Sequence, residues 1–156
     1  MSEEIPLSVS DRAILRLLQE NAAATLDDLA AAANLSAASA WRRVKALEAA
    51  GAIRARVALL DPAALGRGLC VFADVSLRDH GAERRAAFER FVAAAEEIME
   101  CHSTAGGRDY LLKIRVRDVA AYEAFLMERL LAHPSVASAT SSFALKELKY
   151  ATALPV

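Results

Sequence analysis

Two cysteines, three histidines and no long apolar run limit what this 156-residue chain can be. Cys70 and Cys101 are far apart and form no CxxC pair, which argues against a disulfide framework or a thiolate zinc site. His80, His102 and His133 do not stand at metal-ligand spacing, and no nucleophile, base and orienting residue occur as a set. We therefore expect no metal, no cofactor and no enzyme active site.

The chain also lacks the segments that direct a protein into or across a membrane. No apolar run approaches the roughly 18–20 residues that span a bilayer. The N-terminal sequence MSEEIPLSVS has neither the cationic start nor the apolar centre of a secretion signal. We expect a cytoplasmic protein without a membrane partner, and its 55% hydrophobic residues are ample for packed cores.

The net charge is close to zero overall, but cations are concentrated in one segment. Residues 42–56 contain five cations against one acid, a local charge of +4, whereas the whole chain has a net charge of −1. A near-neutral protein with one basic patch has its charge placed for a polyanion such as double-stranded DNA. Any solvated helix also carries lysine and arginine, so the charge alone leaves both interpretations open.

A helix-turn-helix is predicted around this segment. Three side chains can each cap a helix: Ser10, Thr25 and Ser36. The first helix would end near Asn21, the second would cover 26–33, and the third would run from 37 to 50 and stop at Gly51. The turn between the second and third helices is so short that they must cross sharply, as in a helix-turn-helix.

The third helix has the properties of a DNA-recognition helix. With residues about 100° apart, a buried stripe forms from Ala40, Val44 and Leu47. Arg42 lies opposite this stripe and is the best candidate for reading a guanine. Arg43 lies nearer the core, where a phosphate contact and an internal ion pair are equally expected, and Trp41 is slightly favoured as a packing residue. The DNA-binding candidates are Ser36, Ala38, Ser39, Trp41, Arg42, Arg43, Lys45 and Arg54.

Residues 52–60 alternate apolar with basic and small side chains, which predicts a strand, the wing, directly after the third helix. Asp61-Pro62 and the glycines that follow then break regular structure. We expect a DNA-binding domain at 1–57, a linker at 58–68 and a second domain at 69–156.

The second domain combines the alternating apolar pattern of strands with the apolar spacing of three to four residues that is typical of helices. Strands are predicted at 69–77, 97–104, 109–118 and 136–148, and helices at 82–95 and between Asp118 and Pro134. This βαββαβ order predicts an α+β fold, a ferredoxin-like sandwich with both helices on one face of an antiparallel sheet. The other face needs cover, and a second copy of the chain is the simplest cover, which predicts a homodimer.

Four segments then follow one another: DRAILRLLQENAAATLDDLA at 11–30, LSAASAWRRVKALEAAGAIRARVALLDPAALG at 35–66, ECHSTAGGRDYLLKIRVRD at 100–118 and TSSFALKELKYATALP at 140–155. In these segments the chain resembles the Lrp/AsnC, or feast/famine, family of prokaryotic transcription regulators. The resemblance implies an N-terminal winged helix-turn-helix and a C-terminal ferredoxin-like domain. It also implies a small-molecule effector, often an amino acid, and dimers that assemble to tetramers or octamers.

The resemblance further implies an effector pocket at 105–110, although two glycines alone are more typical of a tight turn. Glycine N–H groups can receive an α-carboxylate, and Asp109 can pair with an α-ammonium. Arg108 stands where the family often has an aromatic or aliphatic residue, which favours either an anionic effector or a salt bridge across a dimer. The effector candidates are Gly106, Gly107, Arg108, Asp109, Tyr110, Ala139, Thr140 and Ser141.

Two other functions stay open at this point. Siroheme decarboxylases resemble the same two-part architecture, so the fold alone does not exclude catalysis. An architectural protein that compacts DNA without ligand control would also have a basic helix, and it would bind DNA with little sequence preference.

Overall fold

In the computed structural model, which describes residues 5–156, three helices form the first part of the chain. They are α1 (Val9–Glu20), α2 (Leu26–Ala33) and α3 (Ala37–Ala49). The short turn between α2 and α3 contains Asn34 in the left-handed conformation, with φ of 54°. The predicted helix-turn-helix is confirmed, while residues 1–4 of the polar N-terminal segment lie outside the described residues.

The predicted cap of the first helix is wrong by two positions. Ser8, not Ser10, precedes α1, and its hydroxyl accepts a hydrogen bond from the Asp11 amide at 3.2 Å. The Asp11 carboxylate accepts the Ser8 amide in return, at 2.9 Å. Ser10 has Ala13 three residues later, and an alanine cannot return such a bond, so the complete capping box decides where the helix begins.

The buried stripe of α3 is confirmed by its solvent exposure. Ala40, Val44 and Leu47 are all buried, and they join a core to which α1 contributes Ile14 and α2 contributes Leu29. Because these residues recur every three or four positions, each helix turns one apolar face inward and leaves the other in solvent.

The strand predicted at 52–60 is not formed within the described chain. The amides of Ala52 and Ile53 both donate to the Leu47 carbonyl, at 2.9 and 3.2 Å, and so complete the end of α3. Residues 54–60 are irregular and exposed. The alternating pattern is present, but a strand needs a neighbouring strand for its ladder, and no described segment supplies one.

The second part of the chain folds around one antiparallel sheet. Its elements are β1 (Leu69–Leu77), α4 (Ala82–Ala94), β2 (Ile98–Ser103), β3 (Tyr110–Val116), α5 (Val119–Phe125), a π-helical turn (Leu126–Leu130) and β4 (Val136–Phe143). The strand order is β2-β3-β1-β4, and all three pairings are antiparallel. The predicted ferredoxin-like βαββαβ order and the α+β class are confirmed.

One face of the sheet forms the core of this unit. Inward side chains of β1 and β3 join Phe88 of α4, whose ring centroid lies 4.8 Å from that of Tyr110. Tyr122 and Phe125 of α5 enter the same core. Val119, the first residue of α5, is exposed.

The last strand is shorter than predicted. It ends at Phe143 rather than at 148. Phe143 is opposite Val71, and β1 begins at Leu69, so almost no residues of β1 are left to pair with a longer strand. Residues 149–156 then join the first compact unit, which otherwise ends at Leu59, while the second unit is Leu60–Leu148. The expected boundaries of the DNA-binding domain, the linker and the second domain stay a prediction.

The opposite face of the sheet carries no helix. Alternation places on it the outward side chains of β1 and, by the cross-strand register, those of β4: Phe72, Asp74, Ser76, Ser138, Thr140 and Ser142. We call this surface the open face. No helix in the described part of the chain is long and apolar enough to cross a membrane.

Candidate nucleic-acid interface and ligand site

The outer face of α3 begins with a chain of polar contacts. The Ser36 hydroxyl accepts the Ser39 amide at 3.3 Å and donates to the Ser39 hydroxyl at 3.1 Å. Arg42 donates from Nη2 to the same Ser39 hydroxyl at 3.3 Å and forms no ion pair within the described residues. Its guanidinium is exposed and keeps most of its five donors for another molecule.

Trp41 lies beside this surface and is not the packing residue that the helical wheel favoured. Half of the side chain is exposed, at 50%. Ala38, one turn earlier, is also exposed and small. The N-terminal half of α3 therefore presents an aromatic ring and an arginine beside small side chains. A helix with such a surface fits a major groove.

Arg43 points the other way. Its Nη1 donates to the Asp11 carboxylate at 2.9 Å and to the Ser8 hydroxyl at 3.0 Å, so the internal ion pair is the alternative that the structure contains. Burial raises the pKa of Asp11, but hydrogen bonds from Ser8 and then from Arg43 outweigh it and leave the pKa below its ordinary value.

The remaining cations differ in how far they are neutralised. Lys45 and Arg56 both pair with Glu48, at 2.8 and 3.5 Å, and the hydrogen bond from Lys45 lowers the pKa of this carboxyl. Arg54 is exposed and has no ion pair among residues 5–156. Arg42 and Arg54 are thus the two cations of this segment whose charge is fully available to a polyanion.

The loop between β2 and β3 is a closed turn. The Thr104 amide donates to the Asp109 carbonyl and the Thr104 hydroxyl to the Arg108 carbonyl, both at 2.9 Å. Gly106 has φ of +143°, which favours glycine, and a Cβ added at Gly106 or Gly107 would meet no atom within 4 Å. Both glycines are exposed at the tip of this loop.

Asp109 and Tyr110 do not face this surface as expected. The Asp109 carboxylate accepts the Leu77 amide at 2.7 Å and lies 3.5 Å from the His80 ring, so it fixes the end of β1. Tyr110 is buried against Phe88, and burial raises the pKa of its phenol. Neither side chain is placed to hold an ammonium group in this loop.

The candidate residues of β4 divide between the two faces of the sheet. Ser141 faces the core, where its hydroxyl lies 2.5 Å from that of Tyr122, and Ala139 packs against the same core. Thr140 points to the open face. Because neighbouring residues of a strand alternate, these three cannot line one pocket in a single chain.

Arg108 is folded across the open face. Its Nη1 donates to the Ser76 and Ser138 hydroxyls at 3.3 and 3.4 Å, and its Nη2 donates to Thr140 at 3.3 Å. The two serines were not identified from the sequence, since only the register of β1 with β4 brings them together. No group of three acids, cysteines or histidines among the described residues could hold a metal ion.

Comparison with known proteins agrees with both parts of this geometry. A family model described as winged helix-turn-helix DNA-binding matches residues 7–54, and one described as the Lrp/AsnC ligand binding domain matches residues 70–154. The transcriptional activator DecR of Escherichia coli is 36% identical over 94% of this chain and 96% of its own length. The glutamate uptake regulatory protein of Zymomonas mobilis is 37% identical over 94% of this chain and 88% of its own.

A solved structure gives the same result at the level of the whole chain. A transcriptional regulator from Neisseria meningitidis, in complex with L-Met, has a TM-score of 0.92 and 39% identity, covering 96% of this chain and 97% of its own. The helix-turn-helix, the ferredoxin-like domain and these matches over nearly the full length lead to one conclusion. The chain is a DNA-binding transcriptional regulator and belongs to the Lrp/AsnC family.

Proposed function

We propose that α3 reads DNA through Arg42, with Arg54 bound to phosphate, and that an amino acid bound beside Arg108 controls this binding. The protein would act as a homodimer or a larger assembly, by binding and not by catalysis. A regulator works where the DNA is, which supports the expected cytoplasmic location. The observation that carries the DNA proposal is the difference between two adjacent arginines of α3.

Arg42 and Arg43 have opposite surroundings. Arg42 is exposed, donates to the Ser39 hydroxyl and forms no ion pair among residues 5–156, whereas Arg43 is paired with Asp11 at 2.9 Å. A guanidinium that is not held by an acid of its own chain can turn two parallel N–H groups to O6 and N7 of guanine. We therefore assign base reading to Arg42 and remove Arg43 from the direct contacts. Ser36, Ala38, Ser39, Trp41 and Lys45 form the surface around it.

Selection of bound sequences from random duplexes, followed by affinity measurements at matched salt, tests this assignment. Arg42→Ala should lose about 1–3 kcal/mol of binding free energy for the selected site and little for random DNA, because the contact reads a base. Arg54→Ala should weaken both duplexes alike and lower the salt slope by about 1. Arg12→Ala, which removes an exposed cation of α1, is the charge-matched control.

The assignment would be contradicted if Arg42→Ala preferred the selected site over random DNA as strongly as the parent does. Equal binding of selected and random duplexes by the parent protein would instead indicate an architectural DNA-binding protein.

The effector proposal depends on Arg108. It is a cation without an acid partner among the described residues, held by three hydroxyl groups on the open face. Such a group is suited to a carboxylate, and the related Neisseria protein was solved with L-Met. Gly106 and Gly107 are exposed in the same loop. We infer that the effector is an amino acid whose carboxylate lies on Arg108.

Thermal unfolding in the presence of each standard amino acid tests this point. At least one should raise the midpoint in the parent protein, because a ligand that binds only the folded state stabilises it. Arg108→Gln should abolish the response, whereas Arg78→Gln, an exposed cation after β1, should retain it. The effector should also change DNA affinity. A ligand that raises the unfolding midpoint but leaves DNA binding unchanged would reject the regulatory role.

The open face supports a homodimer. Phe72 stands on it with 39% of its surface exposed, and no described helix covers it. A second copy would bury this ring, and a two-fold dimer would present two α3 helices to successive major grooves. Sedimentation should give at least a dimer for the parent, and Phe72→Asp should shift it toward monomer. A monomeric parent would reject this proposal.

A further inference from the structure

The outer face of α3 carries an aromatic ring that has no partner within the described chain. Trp41 is the one large apolar side chain of α3 that is exposed, at 50%. Its indole takes part in no ring contact, and its N–H in no hydrogen bond, among residues 5–156. An aromatic ring left in water is costly, so this position favours an apolar group from another molecule.

The ring has room on the side toward the start of α3. A side chain in a helix leans toward the N-terminus, so Trp41 extends over the turn that contains Ala37 and Ala38. Both alanines are exposed and small, and they leave this side of the ring uncovered. The N-terminal residues of a recognition helix are the ones that contact base edges, so this turn is the part of α3 expected at the bases.

The charges beside the ring favour nucleic acid over an apolar protein surface. Arg42 follows the ring directly and has no acidic partner among residues 5–156. Lys45 lies one turn later on the same side of α3, and 57% of its side chain is exposed. Two cations that border an apolar ring suit a groove whose walls are lined by phosphate. An apolar partner would instead have to bury both charges.

The major groove offers one methyl group at its base edges, among hydrogen-bond donors and acceptors. This group is the C5-methyl of thymine. The indole has a single polar atom, which is a donor, so the face of its ring matches the methyl and not the polar edges. Consecutive residues of a helix are about 100° apart, so Trp41 and Arg42 meet different base pairs.

We propose that the Trp41 ring packs against the C5-methyl of a thymine in each half-site and so makes binding depend on this methyl group. This inference rests on the proposed reading of DNA by α3, and it adds a second base contact to that of Arg42. The protein would then require a thymine within a few base pairs of the guanine that Arg42 reads.

Uracil substitution in the selected duplex tests the proposal, because uracil lacks only the C5-methyl and keeps every hydrogen-bonding group of thymine. Each thymine of the selected site is replaced in turn, and the affinity of the full chain is measured at matched salt. At one position in each half-site the parent should lose about fourfold in affinity, the effect of one buried methyl group. Uracil outside the selected site should have no effect.

Variants of the chain identify the side chain that senses the methyl. Trp41→Ala should bind the thymine and uracil duplexes alike, and Trp41→Phe, which keeps a ring, should retain part of the preference. Arg42→Ala should keep the thymine preference while it loses the preference for guanine. Val9→Ala removes an exposed apolar side chain of α1 and is the matched control, which should keep both preferences. Circular dichroism checks that Trp41→Ala has the parent's fold.

Fluorescence gives a second readout, because Trp41 is the one tryptophan in the sequence. Acrylamide should quench its emission less when the selected duplex is bound, since the covered ring is no longer open to the quencher. At saturation with the uracil duplex, part of the quenching should return. Quenching that is unchanged by the selected duplex would overturn the inference.

Two affinity results would also overturn it, and they can be told apart from a failure of the proposed function. If Trp41→Ala weakens the thymine and uracil duplexes by the same factor, the ring contacts the sugar–phosphate backbone and reads no base. If no uracil substitution weakens binding by the parent, no thymine methyl is read at all. In either case, loss of the guanine preference in Arg42→Ala leaves the proposed function standing. Parent-like preferences in both Trp41→Ala and Arg42→Ala would reject the inference and the proposed reading of DNA together.

Discussion

The Arg43 guanidinium donates to the Asp11 carboxylate at 2.9 Å, so α3 is bonded to the cap of α1. The same carboxylate accepts the Ser8 amide and hydroxyl, at 2.9 and 2.6 Å. One side chain therefore closes the first helix and holds the third. Arg42, the preceding residue, has no acidic partner among residues 5–156, and this difference separates a structural cation from one available to DNA.

Arg43→Ala should destabilise the first unit, because it leaves a largely buried carboxylate without its cation. We expect the free energy of unfolding to fall by about 1 kcal/mol. The value is kept small because the Arg43 side chain is 40% exposed and solvent screens its charge. Urea unfolding followed by the fluorescence of Trp41, the one tryptophan in the sequence, measures it. Arg42→Ala is the control and should change stability little; equal losses in the two variants would contradict the assignment.

Acid should release the same interaction. Since the folded pKa of Asp11 lies below its ordinary value of 3.8, the carboxylate contributes stability that is fully present above that value. The contribution is lost as the pH falls through the lowered folded pKa. Asp11→Asn should therefore be less stable than the parent at pH 7, and the difference should shrink as the pH falls below 3.8 and through the lowered folded pKa. A constant difference across this range would show that ionisation is not the cause.

Gly51→Ala should strain the end of α3. Gly51 has φ of +78°, and a Cβ there meets no atom within 4 Å, so the whole cost comes from the backbone conformation. We expect the free energy of unfolding to fall by about 1 kcal/mol, measured by urea unfolding followed by circular dichroism. Gly107→Ala is the matched control, because Gly107 is equally open but has no positive φ. An equal effect of both substitutions would exclude strain.

The elements that the sequence predicted correctly depend on neighbours in the chain. Thr25 with Asp28 predicted the start of α2, and the spacing of Ala40, Val44 and Leu47 predicted the buried face of α3. Both signals act over three or four residues. The strand predicted at 52–60 failed because its pattern is local but its ladder is not, and no described segment pairs with it.

The candidate ligand site was harder to predict for the same reason. Ser76 of β1 meets Ser138 and Thr140 of β4 only through the register of the two strands, and a shift of one residue would turn it to the other face. Tyr110 and Ser141 were assigned to the site by their place in the sequence, although alternation turns both into the core. Arg108 was identified because its charge is unusual for the family at that position.

Residues 149–156 are held to α1 by two side chains, which gives a last prediction. Gln19 accepts the Leu154 amide at 2.6 Å and donates to the Leu154 carbonyl at 3.1 Å, as a neighbouring strand would. Arg16 donates to the Val156 carbonyl oxygen at 2.8 and 2.5 Å. These bonds satisfy backbone groups of Leu154 and Val156, so the order of this end of the segment should depend on the two side chains.

Gln19→Ala should therefore speed hydrogen exchange at the Leu154 amide, measured by mass spectrometry of the peptide that covers 149–156. Gln19→Glu keeps the acceptor for that amide but loses the donor to the carbonyl, so it should protect the amide better than alanine does. Arg12→Ala, on the same helix, should leave the exchange unchanged. Unchanged exchange in Gln19→Ala would mean that apolar packing of Val156 against the core, and not the side-chain hydrogen bonds, holds the segment in place.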